Sequence, residues 1–419
     1  MKFPSISELY SIYKEVPVVT IDSRRAAANT IFFALQGDSF NGNEYAASAL
    51  EKGCKYVVID EERYYKDDRY VLVKDSLRAL QELAKHHRSQ LTIPFIAITG
   101  SNGKTTTKEY IHSVLSKKFK VLATAGNLNN HIGAPLTLLA INSEIEIAII
   151  EMGANHVGEI ASLCDIAKPD FGLITNIGKA HIGEFGSFEN IVKGKTEMYQ
   201  YVKQHNGKLF INTANHLLVE NAVGIEQISY GENTGNDCVC KLEEANPFIK
   251  ISYNGSLIVS QLIGSYNFEN IAASICIGKY FGIPTSAIKE AIEEYIPSNN
   301  RSQIVKKENC TIVLDAYNAN PSSMKAAMEN FSEMEGDAKW LILGDMLELG
   351  EYEIEEHKSI LKLAAEKKIK NILLVGERFR KAVKELKIPF PYLRTFNNSE
   401  ELINHISKKE IDFSSTLIL

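Results

Sequence analysis

Long apolar runs are missing from this 419-residue sequence, and none approaches the roughly 20 residues that a membrane span requires. The first residues carry neither the apolar core nor the small-residue cleavage site of a secretory signal. Cysteine is scarce: there are six, with no CxxC pair and none near a histidine at zinc-ligand spacing. These absences exclude a membrane-spanning protein, a disulfide-stapled scaffold and a cysteine–histidine zinc site. They predict reduced thiols and a cytoplasmic location.

An excess of positive charge is also absent. The 46 Lys and Arg residues are outnumbered by 52 Asp and Glu, which gives a net charge of −6. Because no global field attracts nucleic acid, any phosphate-bearing ligand must be held by a local site. With 45% hydrophobic and 23% charged residues, the composition is that of a soluble globular protein. The length suggests about three domains.

The order of apolar runs and helical patterns divides the chain into three α/β units, at residues 1–88, 89–300 and 301–419. In the middle unit, strands alternate with helices, which predicts a mostly parallel sheet. Residues 225–262 are more polar and interrupted, and they predict a small antiparallel insertion. The last unit has the strand–crossover pattern of a doubly wound, Rossmann-like sheet.

The strongest local signal is the sequence GSNGKTTT, which begins at Gly100 between an apolar strand and a helical pattern that extends through Lys120. Its glycines let backbone amides approach phosphate oxygens, and the helix start adds unpaired N–H groups. Lys104 supplies a cation for the β- and γ-phosphates, and the Thr105 hydroxyl supplies an oxygen ligand for Mg²⁺. The general P-loop pattern has a further glycine where this chain has Ile98, so the loop is a shortened form. We therefore predict that the phosphates of a nucleotide bind at Gly100, Asn102, Gly103, Lys104, Thr105 and Thr106.

Polar residues follow later strands of the same predicted sheet. Glu151 ends an apolar run, and a carboxylate there points into the crevice where ligands of parallel sheets collect. His181 lies in a glycine-flanked loop after the next strand, which favours a metal or phosphate role. Lys193 and Lys195 follow in the run VKGKTE, where spacing alone is typical of a solvated helix face.

Together these motifs resemble the Mur ligase family, the ATP-dependent amide-forming enzymes of bacterial peptidoglycan synthesis. The resemblance covers nearly the whole chain, and residues 20–53 resemble the uridine-nucleotide domain of the family, which would here be the first unit, 1–88. It is carried by ITGSNGKTTT (98–107), AGNLNNHIGAPLTLL (125–139), EMGANHVGEI (151–160), TNIGKAHIGEFGSFENIVKGKTE (175–197), GSYNFENIAAS (264–274), LDAYNANPSSM (314–324) and LGDMLELG (343–350).

The last two motifs are most similar to the branch of the family that joins D-alanyl-D-alanine to UDP-N-acetylmuramoyl-tripeptide. The resemblance implies that ATP converts the peptide carboxylate to an acyl phosphate, which the dipeptide amine then attacks. It implies ATP and Mg²⁺ as cofactors, these two substrates as partners, and a monomer. The third residue of the peptide, lysine or diaminopimelate, stays open.

Residue roles follow from the same resemblance. The catalytic residues would be Lys104, Glu151, His181 and Lys195. The metal ligands would be Thr105, Glu151, His181 and Lys195. Lys195 would bind the metal as a carbamate made with CO₂, and Lys193 is the alternative residue for that role. Adenine would face Asn267 and Asn270, while Arg301 and Asp315 would reach the ribose and phosphates. The substrates would contact Ser23, Arg24, Asn129, Asn318 and Asn320.

Two departures from the family pattern leave alternatives open. Leu314 stands where relatives usually carry a second acidic residue, and the sequence stops at Leu419, inside a predicted strand, where relatives usually continue. The alternatives are another amide ligase such as folylpolyglutamate synthase, a P-loop ATPase or kinase that does not ligate, and a degenerate ligase acting as a scaffold. Residues 1–88 argue against the first, and the motifs at 175–197 and 311–324 argue against the second.

Overall fold

The computed structural model describes residues 3–297, 300–307, 310–336, 338–408, 413 and 416–419. Each of the main sheets lies within one of the three predicted units. We therefore propose that the domain boundaries fall near residues 88 and 300. In the part of the chain that is described, no helix combines the length and apolar character needed to cross a membrane.

The first unit is a small α/β layer with a four-stranded parallel sheet in the order β1-β2-β5-β6. Its elements are α1 (Ile6–Glu15), β1 (Val19–Thr20), β2 (Ile31–Phe33), β3 (Gln36–Gly37), β4 (Phe40–Asn41), α2 (Ala46–Glu51), β5 (Tyr56–Ile59), β6 (Tyr70–Leu72) and α3 (Ser76–Ser89). Strand β2 is fully buried, as its unbroken apolar run predicts. Helix α2 ends just before Gly53, whose φ of 105° is a left-handed conformation that favours glycine.

The central unit is built on a seven-stranded sheet with helices on both faces. Its elements are β7 (Phe95–Thr99), α4 (Lys104–Leu115), β8 (Val121–Ala123), α5 (Gly133–Leu139), β9 (Ile147–Glu151), α6 (Glu159–Ala167), β10 (Phe171–Ile174), α7 (Ile182–Phe185), α8 (Phe188–Gln204), β11 (Lys208–Asn212), α9 (His216–Asn221), β12 (Glu226–Gly231), β13 (Cys238–Val239), β14 (Lys241–Glu244), β15 (Phe248–Tyr253), β16 (Ser256–Ile263), α10 (Phe268–Tyr280) and α11 (Thr285–Glu294).

The order of this sheet places a topological switch point at β7. The order is β13-β12-β11-β10-β7-β9-β8, and all pairings are parallel. Strand β7 is buried throughout and lies between β9 and β10, so the carboxyl ends of these three strands meet at one edge. Ligands of open α/β sheets bind at such an edge, where the strand order reverses.

Two local predictions for this unit need correction. The antiparallel insertion is shorter than residues 225–262: only β14, β15 and β16 form an antiparallel sheet, whereas β12 and β13 extend the parallel sheet along β11. Helix α4 ends at Leu115, not near residue 120. The chain turns there, with the Phe119 amide donating to the Leu115 carbonyl, and then enters β8 beside β9.

The third unit is a six-stranded sheet in the order β17-β18-β22-β19-β20-β21, parallel except for the β17–β18 pair. This confirms the predicted Rossmann-like sheet. The antiparallel edge strand, β17, was not predicted from the sequence. Its elements are β17 (Gln303–Lys306), β18 (Cys310–Leu314), α12 (Pro321–Glu333), β19 (Ala338–Gly344), α13 (Glu353–Glu366), β20 (Asn371–Val375), α14 (Glu377–Leu386), β21 (Tyr392–Phe396), α15 (Ser399–Ser407) and β22 (Thr416–Ile418).

The six cysteines are free thiols, as predicted. Five are buried and Cys310 is partly buried. They therefore serve as small apolar side chains, with Cys164 and Cys276 on helices and Cys238 and Cys310 on strands.

Arg88 fastens the connecting helix α3 to the central unit. Its guanidinium donates from Nε to the Ala167 carbonyl at 2.8 Å and from Nη2 to the Lys168 carbonyl at 2.8 Å. It also lies 3.7 Å from the ring centre of Phe95. One buried side chain thus satisfies carbonyls at the end of α6 and packs against the first residue of β7.

We expect Arg88→Ala to lower the free energy of unfolding by about 2–4 kcal/mol, because it leaves buried carbonyls without donors. Thermal unfolding of the full chain measures the effect as a lower melting temperature. Arg78→Ala is the matched control, since Arg78 is exposed on the same helix and should change stability by no more than about 0.5 kcal/mol. Equal melting temperatures for the two variants would contradict this role of Arg88.

Candidate active site

The carboxyl ends of β7, β9 and β10 open into a cavity of about 1010 Å³ between the central and third units. The central unit contributes these predicted site residues to the cavity wall: Asn102, Gly103, Lys104, Thr105, Thr106, Asn129, Glu151 and His181. The cavity therefore brings together side chains as far apart in the sequence as Asn102 and Asn320. A cavity of this size is sufficient for a nucleotide and part of a second substrate.

The phosphate loop needs its glycines for both conformation and space. Gly100 and Gly103 have φ angles of 143° and 79°. A Cβ on Gly100 would lie 2.0 Å from Thr175 Oγ1, and one on Gly103 would lie 2.6 Å from Asn270 Oδ1. Ile98 belongs to the buried strand β7, so the glycine-rich turn begins only at Gly100 and the shortened motif has a structural reason.

Lys104 is the first residue of α4, where the helix start presents free N–H groups. Its ammonium donates to the carbonyls of Gly100 and Ser101 at 2.8 and 3.3 Å. Burial lowers the pKa of Lys104, while the nearby Glu151 charge acts in the opposite direction. The cation is thus held at the mouth of the loop, where an anionic phosphate would replace its carbonyl partners.

Glu151 lies at the end of β9 and is 1% exposed. Its Oε1 accepts hydrogen bonds from Thr105 Oγ1 at 3.2 Å and from Asn129 Nδ2 at 2.8 Å. Its Oε2 is buried and makes no hydrogen bond to any residue that the structure describes, although the Lys108 ammonium lies 3.8 Å away. A buried carboxylate oxygen without a donor, next to a threonine hydroxyl, fits the oxygen-ligand chemistry of Mg²⁺.

His181 follows β10 and lines the same cavity. Its backbone has a φ of 56°, at the start of the short helix α7. Its Nδ1 is in contact with the carboxylate of Glu348 from the third unit. Burial lowers the pKa of His181, which favours the neutral ring that can bind a cation.

The two candidate lysines of α8 have different surroundings. Lys193 is exposed, whereas Lys195 is 2% exposed and donates to the Ala154 carbonyl at 3.0 Å. Lys195 does not itself line the cavity, but Ala154 does. Burial, followed by the Lys104 charge, lowers the pKa of Lys195 to about 7. The neutral amine that this favours is the form that can add CO₂.

The predicted adenine residues, Asn267 and Asn270, lie behind the phosphate loop. Asn270 Nδ2 donates to Asn267 Oδ1 at 2.8 Å, and Asn270 Oδ1 accepts from Thr107 Oγ1 at 3.1 Å. Asn267 Nδ2 also donates to Ser302 Oγ at 3.1 Å. Both line the cavity, and their mutual hydrogen bonds connect α10 to the loop and to the third unit.

The third unit contributes Arg301, Asp315, Asn318 and Asn320 to the cavity wall. The Arg301 guanidinium lies 3.7 Å from the ring centre of Tyr317, and its buried Nε has no hydrogen-bond partner among the described residues. Burial raises the pKa of Asp315. A buried, unbonded donor beside an exposed aromatic ring is a suitable place for a nucleotide.

Asn320 has a structural role in addition to its place at the cavity wall. It is the N-cap of α12, accepting from the Ser323 amide at 3.0 Å. Its Nδ2 also donates to Asn102 Oδ1 at 2.7 Å, across the boundary between the units. Asn318, by contrast, is exposed at the cavity wall and has room for a ligand.

Ser23 and Arg24 are not among the residues that line this cavity. They form a 3₁₀ turn in the first unit, where the side chain of Arg24 is 87% exposed and pairs with Asp22 at 2.9 Å.

The structure also places residues at the site that were not predicted from the sequence. Tyr317 and Ser322 line the cavity and lie within the quoted motif of residues 314–324, whereas Glu348 reaches His181 from a motif with no assigned chemistry.

The sequence matches three family models and several curated relatives over most of its length. The Mur ligase middle domain matches residues 98–278, the glutamate ligase domain of Mur ligases matches 300–412, and the Mur ligase family catalytic domain matches 15–88. The UDP-N-acetylmuramoyl-tripeptide–D-alanyl-D-alanine ligase of Bacillus subtilis is 36% identical over 367 residues, covering 86% of this chain and 80% of the relative.

Solved structures give the same result. MurF from Acinetobacter baumannii superposes with a TM-score of 0.84 at 30% identity, covering 96% of this chain and 90% of that one. The MurF ligase of Thermotoga maritima in complex with ADP superposes with a TM-score of 0.82 at 25% identity, over 96% and 93% of the two chains. The phosphate loop, the carboxylate at the end of β9 and these similarities over nearly the whole length show that the chain belongs to the Mur ligase family.

Proposed function

We propose that this protein is an ATP-dependent ligase that joins D-alanyl-D-alanine to UDP-N-acetylmuramoyl-tripeptide in peptidoglycan precursor synthesis. The observation that carries the proposal is the convergence of Lys104, Glu151 and His181 on one cavity that the third unit also lines. The similarity to relatives named for this activity and to an ADP-bound ligase supports both the substrates and ATP. We further propose that the protein acts as a monomer in the cytoplasm.

The first chemical step is transfer of a phosphoryl group. A terminal carboxylate oxygen of the tripeptide attacks the γ-phosphorus of ATP, and the bond to the β–γ bridging oxygen breaks to release ADP. Lys104 and the amides of Gly100 to Thr106 hold the phosphates, so that catalysis consists mainly of positioning and charge neutralisation. Arg301 would contribute a further cationic donor from the opposite wall of the cavity.

The second step forms the amide. The neutral amine of the dipeptide attacks the acyl carbon, and the tetrahedral intermediate expels phosphate while the nitrogen loses its proton. Asn318, exposed at the cavity wall, would orient the dipeptide. Because the acyl phosphate is easily hydrolysed, the enclosure between the central and third units would also protect it from water.

Residues of the site fit Mg²⁺. Thr105 and Glu151 would hold one ion, while His181 and Lys195, as a carbamate, would hold a second with Glu151. Bound Mg²⁺ would neutralise phosphate charge and polarise the phosphoryl group. The unbonded Oε2 of Glu151 supports this assignment, and so does the buried Lys195, because a carbamate would turn a costly buried cation into an anionic oxygen ligand.

Product analysis by mass spectrometry tests the proposed function. We expect an amide product with the mass of both acceptors joined, formed only when ATP, the UDP-tripeptide and D-alanyl-D-alanine are all present. Parallel reactions with the lysine and the diaminopimelate tripeptides identify the third residue. Rapid ATP hydrolysis without either acceptor would favour a P-loop ATPase and contradict ligation.

We expect Asn318→Ala to raise the KM for D-alanyl-D-alanine by about tenfold, the effect of one lost ligand hydrogen bond, with little change in the KM for ATP. Steady-state kinetics with each substrate varied in turn measures the difference. Asn330→Ala is the control, because Asn330 lies on α12, away from the cavity lining. Unchanged dipeptide kinetics in Asn318→Ala would refute its role.

A further inference from the structure

The motif LGDMLELG at residues 343–350 has no role in the chemistry described above, yet it is firmly anchored. Asp345, just after β19, accepts from the backbone amides of Arg378 and Phe379 at 3.0 and 2.9 Å, at the start of α14. Met346 is fully buried, and its amide donates to His357 Nε2 at 3.0 Å. These contacts fix the path of the segment that follows.

The anchored segment presents Glu348 to the central unit. Glu348 has a left-handed φ of 61°, which a non-glycine residue adopts at some cost and only where its surroundings hold it. Its carbonyl accepts from the Gly183 amide at 3.0 Å, and its carboxylate pairs with His181 Nδ1. The backbone and the side chain of Glu348 therefore both contact the start of α7, the short helix that follows β10.

Close backbone contact fixes the distance between α7 and the segment of residues 343–350. A Cβ on Gly183 would lie 2.4 Å from the Gly350 amide nitrogen, and Gly350 itself has a φ of 55°. Side chains at these positions would separate the segments. The two glycines thus allow the approach that the contact between Glu348 and His181 requires.

We propose that Glu348 is a positioning residue that acts through His181. A carboxylate in contact with Nδ1 favours the proton on that nitrogen and leaves Nε2 with its lone pair free to bind a cation or accept a hydrogen bond. Glu184, the other carboxylate near Nδ1, lies 3.9 Å away, beyond hydrogen-bond distance. The site would then be complete only when the third unit is docked. This inference rests on the proposed function, because it assigns the histidine of that site its tautomer.

A second contact between the central and third units serves as a control for a purely structural role of Glu348. Glu356, on α13, pairs with Lys179 at 2.6 Å across the same boundary, without touching His181. If Glu348 served only to hold the units together, loss of Glu356 would have a similar effect. If Glu348 orients His181, only its own loss affects the ring.

Nitrogen-15 NMR of the histidine rings at pH 8 measures the tautomer in the free protein, with the His181 signals assigned from a His181→Gln spectrum. We expect the Nδ1–H form in the parent and in Glu348→Gln, whose amide oxygen still accepts. Glu348→Ala should shift the ring toward the Nε2–H form, and Glu356→Ala should not. An Nε2–H ring in the parent, or an unchanged ring in Glu348→Ala, would overturn the proposal.

Kinetics supplies the second readout. We expect Glu348→Ala to lower kcat by about 10–100-fold with the KM for ATP nearly unchanged, and Glu348→Gln to recover part of that loss. Glu356→Ala should remain near the parent rate. An equal loss of kcat in Glu356→Ala would mean that Glu348 only holds the two units together, and it would overturn the proposal. If the parent formed no amide product, the proposed function would fail, whereas the NMR result would still decide the role of Glu348.

Discussion

Lys104→Ala is expected to lower the rate of ADP formation by about a thousandfold or more, the scale of removing a cation from a phosphoryl-transfer site. The Lys104 ammonium lies at the phosphate loop, bonded only to loop carbonyls among the described residues, and no other lysine lines the described part of the cavity. Charge that develops on the transferred phosphoryl group would therefore lose its nearest cation. A coupled assay for ADP, with both acceptors saturating, measures the loss.

The control for this variant is Lys120→Ala. Lys120 belongs to the same unit, but its side chain is 64% exposed and pairs with Glu144 on the surface. We expect that variant to keep the parent rate. Substantial ADP formation by correctly folded Lys104→Ala would show that the triphosphate is bound elsewhere.

Lys195→Ala is expected to lose activity by about a hundredfold or more and to recover part of it in the presence of acetate or formate. Burial and the Lys104 charge hold the pKa of Lys195 at about 7, so above that pH most of the amine is neutral and can add CO₂. The carbamate would place an anionic oxygen ligand near the ends of β9 and β10. A small carboxylate can supply the same oxygen chemistry in the space that alanine leaves.

Lys193→Ala is the matched control, since Lys193 lies two residues earlier on α8 and is exposed. It should keep the parent rate and show no response to carboxylates. Full activity of Lys195→Ala without added carboxylate would contradict the carbamate, and a loss confined to Lys193→Ala would assign the role to the rival lysine.

The sequence was sufficient to predict which residues meet at one edge of the central sheet, because local chemistry and sheet topology point to the same place. A glycine-rich turn after the buried strand β7 and Glu151 at the end of β9 must share one edge once the strands are parallel and adjacent. His181 follows from the same rule through β10. These predictions required only that the strands be recognised and that their order reverse near β7.

Other features depend on tertiary contacts that no local pattern contains. Lys193 and Lys195 look alike in the sequence, and burial against the Ala154 carbonyl distinguishes them only in the folded protein. The pairing of β12 with β11 depends on register and burial, which the polar interruptions of that segment obscure. Glu348 reaches His181 only because distant segments anchor the motif around it, so spacing could not indicate the contact.

The central claim is that ATP makes the tripeptide carboxyl group electrophilic in the cavity above β7, and transfer of isotope tests it most directly. The UDP-tripeptide is prepared with ¹⁸O in its terminal carboxylate, and the released phosphate is analysed by mass spectrometry after reaction with ATP and D-alanyl-D-alanine. We predict one ¹⁸O atom in each phosphate, because the carboxylate oxygen that attacks the γ-phosphorus leaves with it when the amide forms. Phosphate without ¹⁸O would mean that water attacks ATP, and it would contradict the account.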